Sequence, residues 1–328
     1  MSLPIPQIKS LPVLVLFGPT ASGKTDVIRQ VFTSSQAEVV SADSMQVYRG
    51  MDIGTAKPSP RLQALIPHHL IDILEPDQEF NVGDFVRLAD AAVKDIWSRG
   101  KLPVVSGGTG FYLKNFIQGL PLTPPSDADI RAQLKAELRA SGIEPLIREL
   151  RARDAVSAER IHPNDSYRLL RALEVLRLTN KPLSSFSTPK KIRDDFDFLL
   201  IDLERPRDEL YARIDARCAQ MFKDGLAEEV RGLFGKYGAD VPGMRAIGYR
   251  EFFQNGQFRS DFGEVEALIA RNSRRYAKRQ ITFFASIPGV TRLNADDTLR
   301  VLDDFIRGVA PFGCLNTSQW VSLERWTR

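Results

Sequence analysis

The sequence predicts an α/β protein in which a parallel sheet with crossover helices surrounds a P-loop, with an all-helical domain inserted into it. The first observation is the string GPTASGKT (18–25) directly after the apolar run LPVLVLF (11–17), a strand–loop–helix context. Second, short apolar runs alternate with helical patterns up to residue 120. Third, a proline-rich break and a long helical stretch precede one more strand-like run, so the helical part interrupts the sheet.

The core elements follow from runs of β-branched and apolar residues bounded by turn residues. Strands are predicted at Val13–Phe17, Ala37–Ser41, His69–Asp72 and Pro103–Ser106, and helices at Lys24–Phe32 and Val82–Arg99. Such alternation is typical of parallel sheets, because parallel strands need long crossover connections.

The insertion begins after the linker GLPLTPP (119–125). Ser126 is the expected N-cap of a helix with an acidic first turn, and the helical pattern continues to Pro182. The run Phe198–Leu203 then returns as a strand, and helices are predicted at Arg207–Lys236 and Phe262–Ser286. The expected domains are therefore a core of residues 1–120 and 196–328 and an insertion of residues 121–195.

Composition narrows the class of protein. The chain has 328 residues, 43% hydrophobic and 26% charged, which is enough for a sizeable core and a smaller domain. No apolar run is long enough for a membrane span, and the start resembles no targeting segment, so a cytoplasmic location is expected. Cys218 and Cys314 are too few for a zinc site or a disulfide framework. The net charge of +4 is only weak evidence for nucleic-acid binding.

The P-loop predicts a phosphate site. Backbone N–H groups of such a loop and the N-terminus of the following helix converge on one anion. Lys24 would reach the outer phosphates, and the Thr25 hydroxyl would bind Mg²⁺. The motif indicates a di- or triphosphate ligand and does not require ATP.

Two strand ends add candidate residues near that phosphate. Asp43 follows the second strand, at the sheet edge where the P-loop also lies. It could hold Mg²⁺ or act as a general base, or it could form an Asx turn that ends the strand. The fourth strand ends in SGGT (106–109), where an ordinary ATPase has an acidic residue. We interpret it as a second wall of the ligand site, the alternative being a glycine-rich helix start. His68 and His69 lack ligand partners and are interpreted as structural.

Basic residues cluster late in the chain and in the insertion. The segment 271–284 has five basic residues and no acid. Four of them follow helical spacing and form one stripe: Arg271, Arg274, Arg275 and Lys278. A solvated face is one interpretation, but a stripe without counter-charges favours contact with a nucleic-acid backbone. The insertion also carries many arginines, namely Arg148, Arg151, Arg153, Arg160, Arg168 and Arg171.

Taken in order, the motifs resemble the tRNA dimethylallyltransferases, also called tRNA isopentenyltransferases. The matching strings span roughly residues 11 to 290: GPTASGKT (18–25), SADSMQVYRGMDIGTAKP (41–58), HHLIDI (68–73), GGTGFY (107–112), RIHPNDSYRLLRALEV (160–175), GYRE (248–251) and KRQITFF (278–284). The resemblance implies transfer of a dimethylallyl group from dimethylallyl diphosphate to the exocyclic amine of an adenosine beside the tRNA anticodon. It also implies Mg²⁺ and the anticodon stem-loop as partner, and a monomer is expected.

The resemblance also implies roles for individual residues. The diphosphate would lie on Gly18, Pro19, Thr20, Ala21, Ser22, Gly23, Lys24 and Thr25, with Thr25 on the metal. Asp43 would be the general base, with Thr20 and Lys24 as further catalytic residues. The implied tRNA contacts are Asp43, Ser44, Met45, Gln46, Thr109, Arg131, Tyr167, Arg168, Leu169, Leu170, Arg171, Arg245, Arg250, Arg275, Lys278, Arg279 and Gln280.

Two departures from the family pattern and two rival functions stay open. The family reads Pro-Gln-Arg where this chain has Ser166-Tyr167-Arg168, so Tyr167 either stacks on a base or forms a hydrogen bond. Cys314 alone cannot supply the zinc finger of eukaryotic relatives, which favours the bacterial type. The rivals are a P-loop kinase that phosphorylates a small molecule and a tRNA-binding protein without enzymatic activity.

Overall fold

The centre of the fold is a parallel sheet of six strands. The computed structural model describes residues 11–308. The sheet order is β3-β2-β4-β1-β5-β8, with strands Leu11–Phe17 (β1), Ala37–Ser41 (β2), His68–His69 (β3), Leu102–Gly107 (β4), Phe196–Leu203 (β5) and Thr291–Leu293 (β8). A separate antiparallel hairpin joins Phe253–Gln254 (β6) and Gln257–Phe258 (β7). The predicted α/β class with a parallel sheet is confirmed.

Helices connect these strands and form the insertion. They run over Lys24–Val31 (α1), Pro60–Leu65 (α2), Val82–Ser98 (α3), Gly110–Gln118 (α4), Ala128–Ser141 (α5), Glu144–Arg153 (α6), Ala155–Arg160 (α7), Ser166–Thr179 (α8), Arg207–Lys223 (α9), Leu226–Tyr237 (α10), Phe262–Phe284 (α11) and Ala295–Gly308 (α12). Within residues 11–308, no helix is both long and apolar enough to cross a membrane.

The strand β1 lies inside the sheet with a neighbour on each side, and six of its seven residues are buried. Leu14 pairs with Val104 of β4, and Val13 pairs with Phe198 of β5. A strand buried on both faces needs a continuous apolar run, which residues 11–17 provide. All these strands point the same way, so the chain leaves β1, β2, β4 and β5 at one edge of the sheet. The candidate site lies at this edge.

A cluster of charged residues surrounds Glu38, which lies near the start of β2. Its buried carboxylate accepts hydrogen bonds from Arg99 and from Lys101 Nζ at 2.7 Å. His69 Nε2 lies 2.7 Å from the same carboxylate. The hydrogen bond with Arg99 holds the pKa of Glu38 far below its usual value, so Glu38 stays ionised. His69 therefore belongs to a structural ion cluster, in agreement with its interpretation from sequence.

Residues 118–192 form a compact helical unit of their own. Leucines of α5, α6 and α8 make its core. Beside them, the fully buried Glu174 accepts hydrogen bonds from Ser126 Oγ at 2.5 Å and from Asp127 N at 2.7 Å. Its other oxygen pairs with Arg131 at 3.2 Å and with Arg171 at 3.1 Å. Four partners thus satisfy one buried charge that links the start of α5 to α8.

The structure corrects three predicted elements. Ser126 is not the N-cap of α5, because its hydroxyl is taken by Glu174 and Asp127 caps the helix instead. The predicted helix Arg207–Lys236 is two helices, since Gly225 adopts φ 97°, a conformation that ends a regular helix. The predicted strand His69–Asp72 stops at His69 because Leu70 and Asp72 have positive φ values of 61° and 56°. Cys314 lies outside the described residues.

Candidate active site

A cavity of about 380 Å³ opens at the carboxyl edge of the sheet. Its walls come from the P-loop, from the segments that follow β2 and β4, and from helices α9 and α11. Polar and apolar groups share it: Lys24, Thr25 and Asp43 lie on the same cavity as Ile214 and Ile269. The site therefore combines an anion-binding loop with an apolar wall.

The P-loop has the conformation that its glycines allow. Gly18 and Gly23 adopt φ values of 154° and 102°, and a Cβ on Gly18 would lie 2.7 Å from Leu203 O. Lys24 Nζ donates to Gly18 O and to Pro19 O, both at 3.0 Å. Burial lowers the pKa of Lys24 to about 8, helped by the nearby Arg217. The ammonium form still predominates at neutral pH.

Two arginines that the sequence analysis did not select hold the P-loop. Arg205 Nε donates to Ser22 O at 2.5 Å, and Arg213 Nε donates to Ala21 O at 2.9 Å. With Lys24, they occupy the carbonyl oxygens of four of the five loop residues 18 to 22, all except Thr20. The loop is thus fixed by cations that lie close to any bound anion.

A third arginine lies on the cavity itself. Arg217 follows Arg213 by four residues on α9, so both lie on the same side of that helix. Burial lowers the pKa of Arg217, and the carboxylate of Asp43 opposes that effect. The i, i+4 spacing of the two arginines was the signal that could have identified this pair.

Asp43 forms the Asx turn that was one of its interpretations from the sequence, and it also lies on the cavity. Its Oδ1 accepts a hydrogen bond from Met45 N at 2.9 Å, which is the Asx turn after β2. The side chain is partly exposed and lines the cavity. Among residues 11–308, Oδ2 receives no hydrogen bond, so it is available to accept a proton from a ligand.

The glycines at the end of β4 and just after it allow close packing of neighbouring parts of the protein. A Cβ on Gly107 would lie 2.2 Å from Ala42 O, and one on Gly110 would lie 2.5 Å from the Phe283 ring. Close approach by the neighbouring backbone and by α11 therefore requires glycine there. Of the segment SGGT (106–109), Ser106, Gly107 and Gly108 line the cavity and Thr109 does not, so most of the segment forms part of its wall.

Thr109 and Gln46 hold the segment that follows β2. Thr109 Oγ1 accepts from Ser44 N at 3.0 Å, and it lies 3.3 Å from Ser44 Oγ. Gln46 Oε1 accepts from Ser41 Oγ at 3.1 Å, while its Nε2 donates to Thr55 O at 3.3 Å. These side chains position the loop that carries Asp43.

The loop MDIGTAKP (51–58) is fixed by a residue that the sequence motifs did not include. Glu229 accepts hydrogen bonds from the N–H groups of three consecutive residues, Asp52 to Gly54, at 2.8 to 3.2 Å. Tyr249 OH donates to the same carboxylate at 2.6 Å. The buried Lys57 Nζ bonds Asp72 at 2.6 Å. The side chain of Glu229 thereby holds a loop that forms one side of the cavity.

His68, interpreted as structural from the sequence, also lines the cavity. Its Nδ1 lies 2.6 Å from Ile66 O, an interaction that fixes the ring. Burial lowers the pKa of His68, so the imidazole is neutral at physiological pH.

The apolar side of the cavity comes mainly from α9 and α11. It includes Ile214, Cys218 and Met221 from one helix and Ile269 from the other, with Ala246 beside them. Burial raises the pKa of the Cys218 thiol, so the thiol stays protonated and unreactive, as expected from the sequence.

The basic stripe on α11 is only partly free of counter-charges. Arg274 forms an ion pair with Asp215 of α9, which contradicts the expectation that the whole stripe is unpaired. Arg275 and Lys278 are exposed, and Arg279 lines the mouth of the cavity, as do Arg245 and Arg250. Gln280 lines the cavity but is buried, with 4% of its surface exposed, and its carboxamide is hydrogen-bonded within the protein.

Some of the predicted tRNA contacts of the insertion are exposed, and others are buried or paired within the protein. Tyr167 and Arg168 are exposed, and the guanidinium of Arg131 lies 5.0 Å from the Tyr167 ring centre. Leu169 and Leu170 are buried in the core of the insertion, which contradicts side-chain contact with tRNA. Arg171 is engaged within the unit, donating to Pro124 O at 2.6 Å and pairing with Glu174.

Comparison with known proteins gives one consistent family. A family model described as IPP transferase matches residues 46–287, and one described as isopentenyl transferase matches residues 11–70. The chain is 45% identical to the tRNA dimethylallyltransferase of Geobacter sulfurreducens over 280 residues, which are 85% of this chain and 90% of that protein.

Solved structures agree with the sequence matches. The tRNA isopentenylpyrophosphate transferase from Bacillus halodurans superposes with a TM-score of 0.64 at 37% identity, covering 90% of this chain and 96% of that one. A eukaryotic dimethylallyltransferase acting on tRNA gives a TM-score of 0.74 at 25% identity, covering 93% of this chain and 82% of that one.

Proposed function

This chain belongs to the family of tRNA dimethylallyltransferases and is a prenyltransferase that acts on tRNA, and we propose that transfer takes place in the cavity beside the P-loop. The single observation that carries the proposal is the meeting of three groups in that cavity: Lys24 on the anion-binding loop, the carboxylate of Asp43 and an apolar wall. A diphosphate ester with a short hydrocarbon tail needs the anion-binding loop for its phosphates and the apolar wall for its tail. An amine that attacks this ester needs a carboxylate to accept its proton.

The donor is dimethylallyl diphosphate, with its diphosphate on the P-loop and its tail on the side of Ile214 and Met221. Diphosphate leaves readily only if its developing charge is stabilised. Lys24, Arg217 and the N–H groups at the start of α1 supply that charge stabilisation.

Magnesium fits this site as an ion carried mainly by the substrate. Mg²⁺ is commonly bound through one or two protein oxygens together with phosphate oxygens. Thr25 lines the cavity and offers its hydroxyl. Within residues 11–308 there is no cluster of three or more metal-ligating side chains, so the diphosphate would provide most of the ligands. When bound, the ion would neutralise charge on the leaving group.

The acceptor is the exocyclic amine of the adenosine beside the anticodon. In the transfer, a bond forms between the amine nitrogen and C1 of the dimethylallyl group, while the bond from C1 to the diphosphate oxygen breaks. The amine proton passes to Asp43 Oδ2. Because the cavity is a recess, the adenine must leave its stack, which costs a few kcal/mol in base-flipping enzymes. Contacts of Arg275, Lys278 and the exposed Tyr167 and Arg168 with tRNA would offset that cost.

An assay with dimethylallyl diphosphate and unmodified tRNA tests the function. We expect prenylated adenosine without ATP, and we expect Asp43→Asn to lower kcat about 10²- to 10⁴-fold, the usual contribution of a general base. Asp296→Asn, an exposed change on α12, is the matched control and should keep wild-type turnover. ATP-dependent phosphorylation without a prenylated product would favour the kinase. Full turnover by Asp43→Asn would exclude Asp43 as the base.

A further inference from the structure

Gln280 joins three parts of the active site through a single carboxamide. Its Oε1 accepts from Thr20 N of the P-loop at 2.9 Å, and its Nε2 donates to Gly108 O after β4 at 2.7 Å. The orientation of the amide is fixed by these partners, because an N–H needs an acceptor and a carbonyl needs a donor. The side chain is buried on α11, so the bridge runs from that helix to both loops.

The surroundings leave the carboxamide little freedom. A Cβ at position 108 would lie 2.5 Å from Gln280 Nε2, so the glycine makes room for this bridge. Tyr276, one turn earlier on α11, also donates to Gly108 O at 3.3 Å. Two side chains of one helix therefore hold the same carbonyl.

The same helix presents basic residues to solvent. Lys278 and Arg279 directly precede Gln280 in sequence, and both are exposed. Gln280 differs from these two residues, because both polar atoms of its carboxamide are hydrogen-bonded within the protein.

We propose that Gln280 is a positioning residue that holds Thr20 and the P-loop in the geometry that binds diphosphate, and that it does not contact tRNA. The inference rests on the proposed function of the P-loop. Within the described structure, Thr20 N donates to the Gln280 side chain, whereas the next N–H, that of Ala21, has no side-chain acceptor. Loss of the bridge would release the middle of the loop, while Lys24, Arg205 and Arg213 still hold its carbonyl oxygens.

Two substitutions test this role. Gln280→Met keeps the volume and removes both hydrogen bonds. Gln280→Glu cannot donate to Gly108 O while ionised, but its protonated form has the donor and the acceptor of glutamine. Thr282→Ala, an exposed change on the same helix, is the control. Inorganic diphosphate with Mg²⁺ and unmodified tRNA are titrated separately, with near-UV circular dichroism as the check of folding.

For Gln280→Met we expect diphosphate to bind about tenfold more weakly, a change equivalent to one net hydrogen bond, with the Kd for tRNA within about twofold of wild type. For Gln280→Glu, the ratio of its diphosphate Kd to that of wild type should fall as the pH is lowered from about 8 to about 5, because the carboxyl gains its proton. Thr282→Ala should match wild type in both titrations. The glutamate variant also serves if the methionine variant does not fold.

Other outcomes overturn the inference. Wild-type diphosphate affinity with weakened tRNA binding would make Gln280 a tRNA contact. Equal losses in both titrations without recovery at low pH would make it a general packing residue. Failure of the proposed function is recognised separately: wild-type protein would then form no prenylated adenosine, whatever the diphosphate titrations give.

Discussion

At the scale of residues, burial and neighbouring charge set the protonation states around the P-loop. Burial lowers the pKa of Lys24 to about 8 and raises that of Asp202, at the end of β5, to about 6. Asp202 Oδ1 has no hydrogen-bond partner among residues 11–308. Its carboxylate raises the pKa of Lys24 in return. Burial of the Asp202 carboxylate, which lacks full hydrogen bonding, therefore lowers the stability of the folded protein.

We therefore expect Asp202→Asn to stabilise the fold at neutral pH. The folded-state pKa of Asp202 lies above its unfolded value, so the folded protein binds the extra proton and its stability falls as the pH rises from about 4 to about 6. The asparagine variant lacks this loss and should gain about 1–2 kcal/mol above pH 6 relative to wild type. Urea unfolding at several pH values measures it.

The pH profile is decisive for this explanation. Below pH 4 the two proteins should have nearly equal free energies of unfolding, because Asp202 is then protonated in both states. A difference that does not depend on pH would mean that burial of the charge is not its cause.

At the scale of elements, α11 has two faces with different tasks. The partly exposed Tyr276 and the buried Gln280 hold the loop after β4. The exposed Arg275 and Lys278 carry charge to the surface. Arg274 belongs to neither group, since it forms an ion pair with Asp215 of α9. One helix therefore contributes both to the cavity wall and to a basic surface.

The basic face predicts a salt-dependent contact with tRNA. Arg275→Ala and Lys278→Ala should each weaken tRNA binding and reduce the slope of log Kd against log salt by about 1, as each phosphate contact is lost. Fluorescence titration at several salt concentrations measures both quantities. The matched control is Arg274→Ala, whose side chain is already paired, so its slope should stay near that of wild type. Unchanged slopes for all three variants would mean that the stripe is a solvated face that does not contact tRNA.

Features of the fold and site could be predicted from the sequence when the residues that form them are close together along the chain. The P-loop and the Asx turn at Asp43 are local, and their residue types identify them without tertiary contacts. Gln280 and Thr20 are 260 residues apart, and Glu229 lies 175 residues from Gly54, so no local pattern could join them. The burial of Leu169 and Leu170 could not be predicted for a related reason, since packing against α5 and α6 is a property of the folded unit.

At the scale of the whole molecule, the chain consists of two units with separate cores. Residues 118–192 depend on leucines of α5, α6 and α8 and on the four partners of Glu174. The P-loop and the cavity lie entirely in the other unit. Damage to the insertion should therefore leave the diphosphate site intact.

Glu174→Ala tests that separation. Removal of the carboxylate leaves Arg131 and Arg171 without their buried partner, and we expect the insertion to lose about 3 kcal/mol of stability. Diphosphate binding, measured by calorimetry, should stay within about twofold of wild type, while tRNA binding weakens. Glu149→Ala, which breaks a more exposed contact with Arg177, is the control and should have a smaller effect. Loss of diphosphate binding in Glu174→Ala would show that the two units are not independent.

The position of β1 in the sheet has a consequence for synthesis on the ribosome. Among the strands of residues 11–308, β1 is translated first, yet its partner β5 follows only after the whole insertion has been translated. The contacts within residues 118–192 are complete by then, so the insertion can fold while the first strand still lacks one neighbour. The nascent chain must keep the apolar run of residues 11–17 from aggregating over that interval, which makes the order of translation a constraint on this fold.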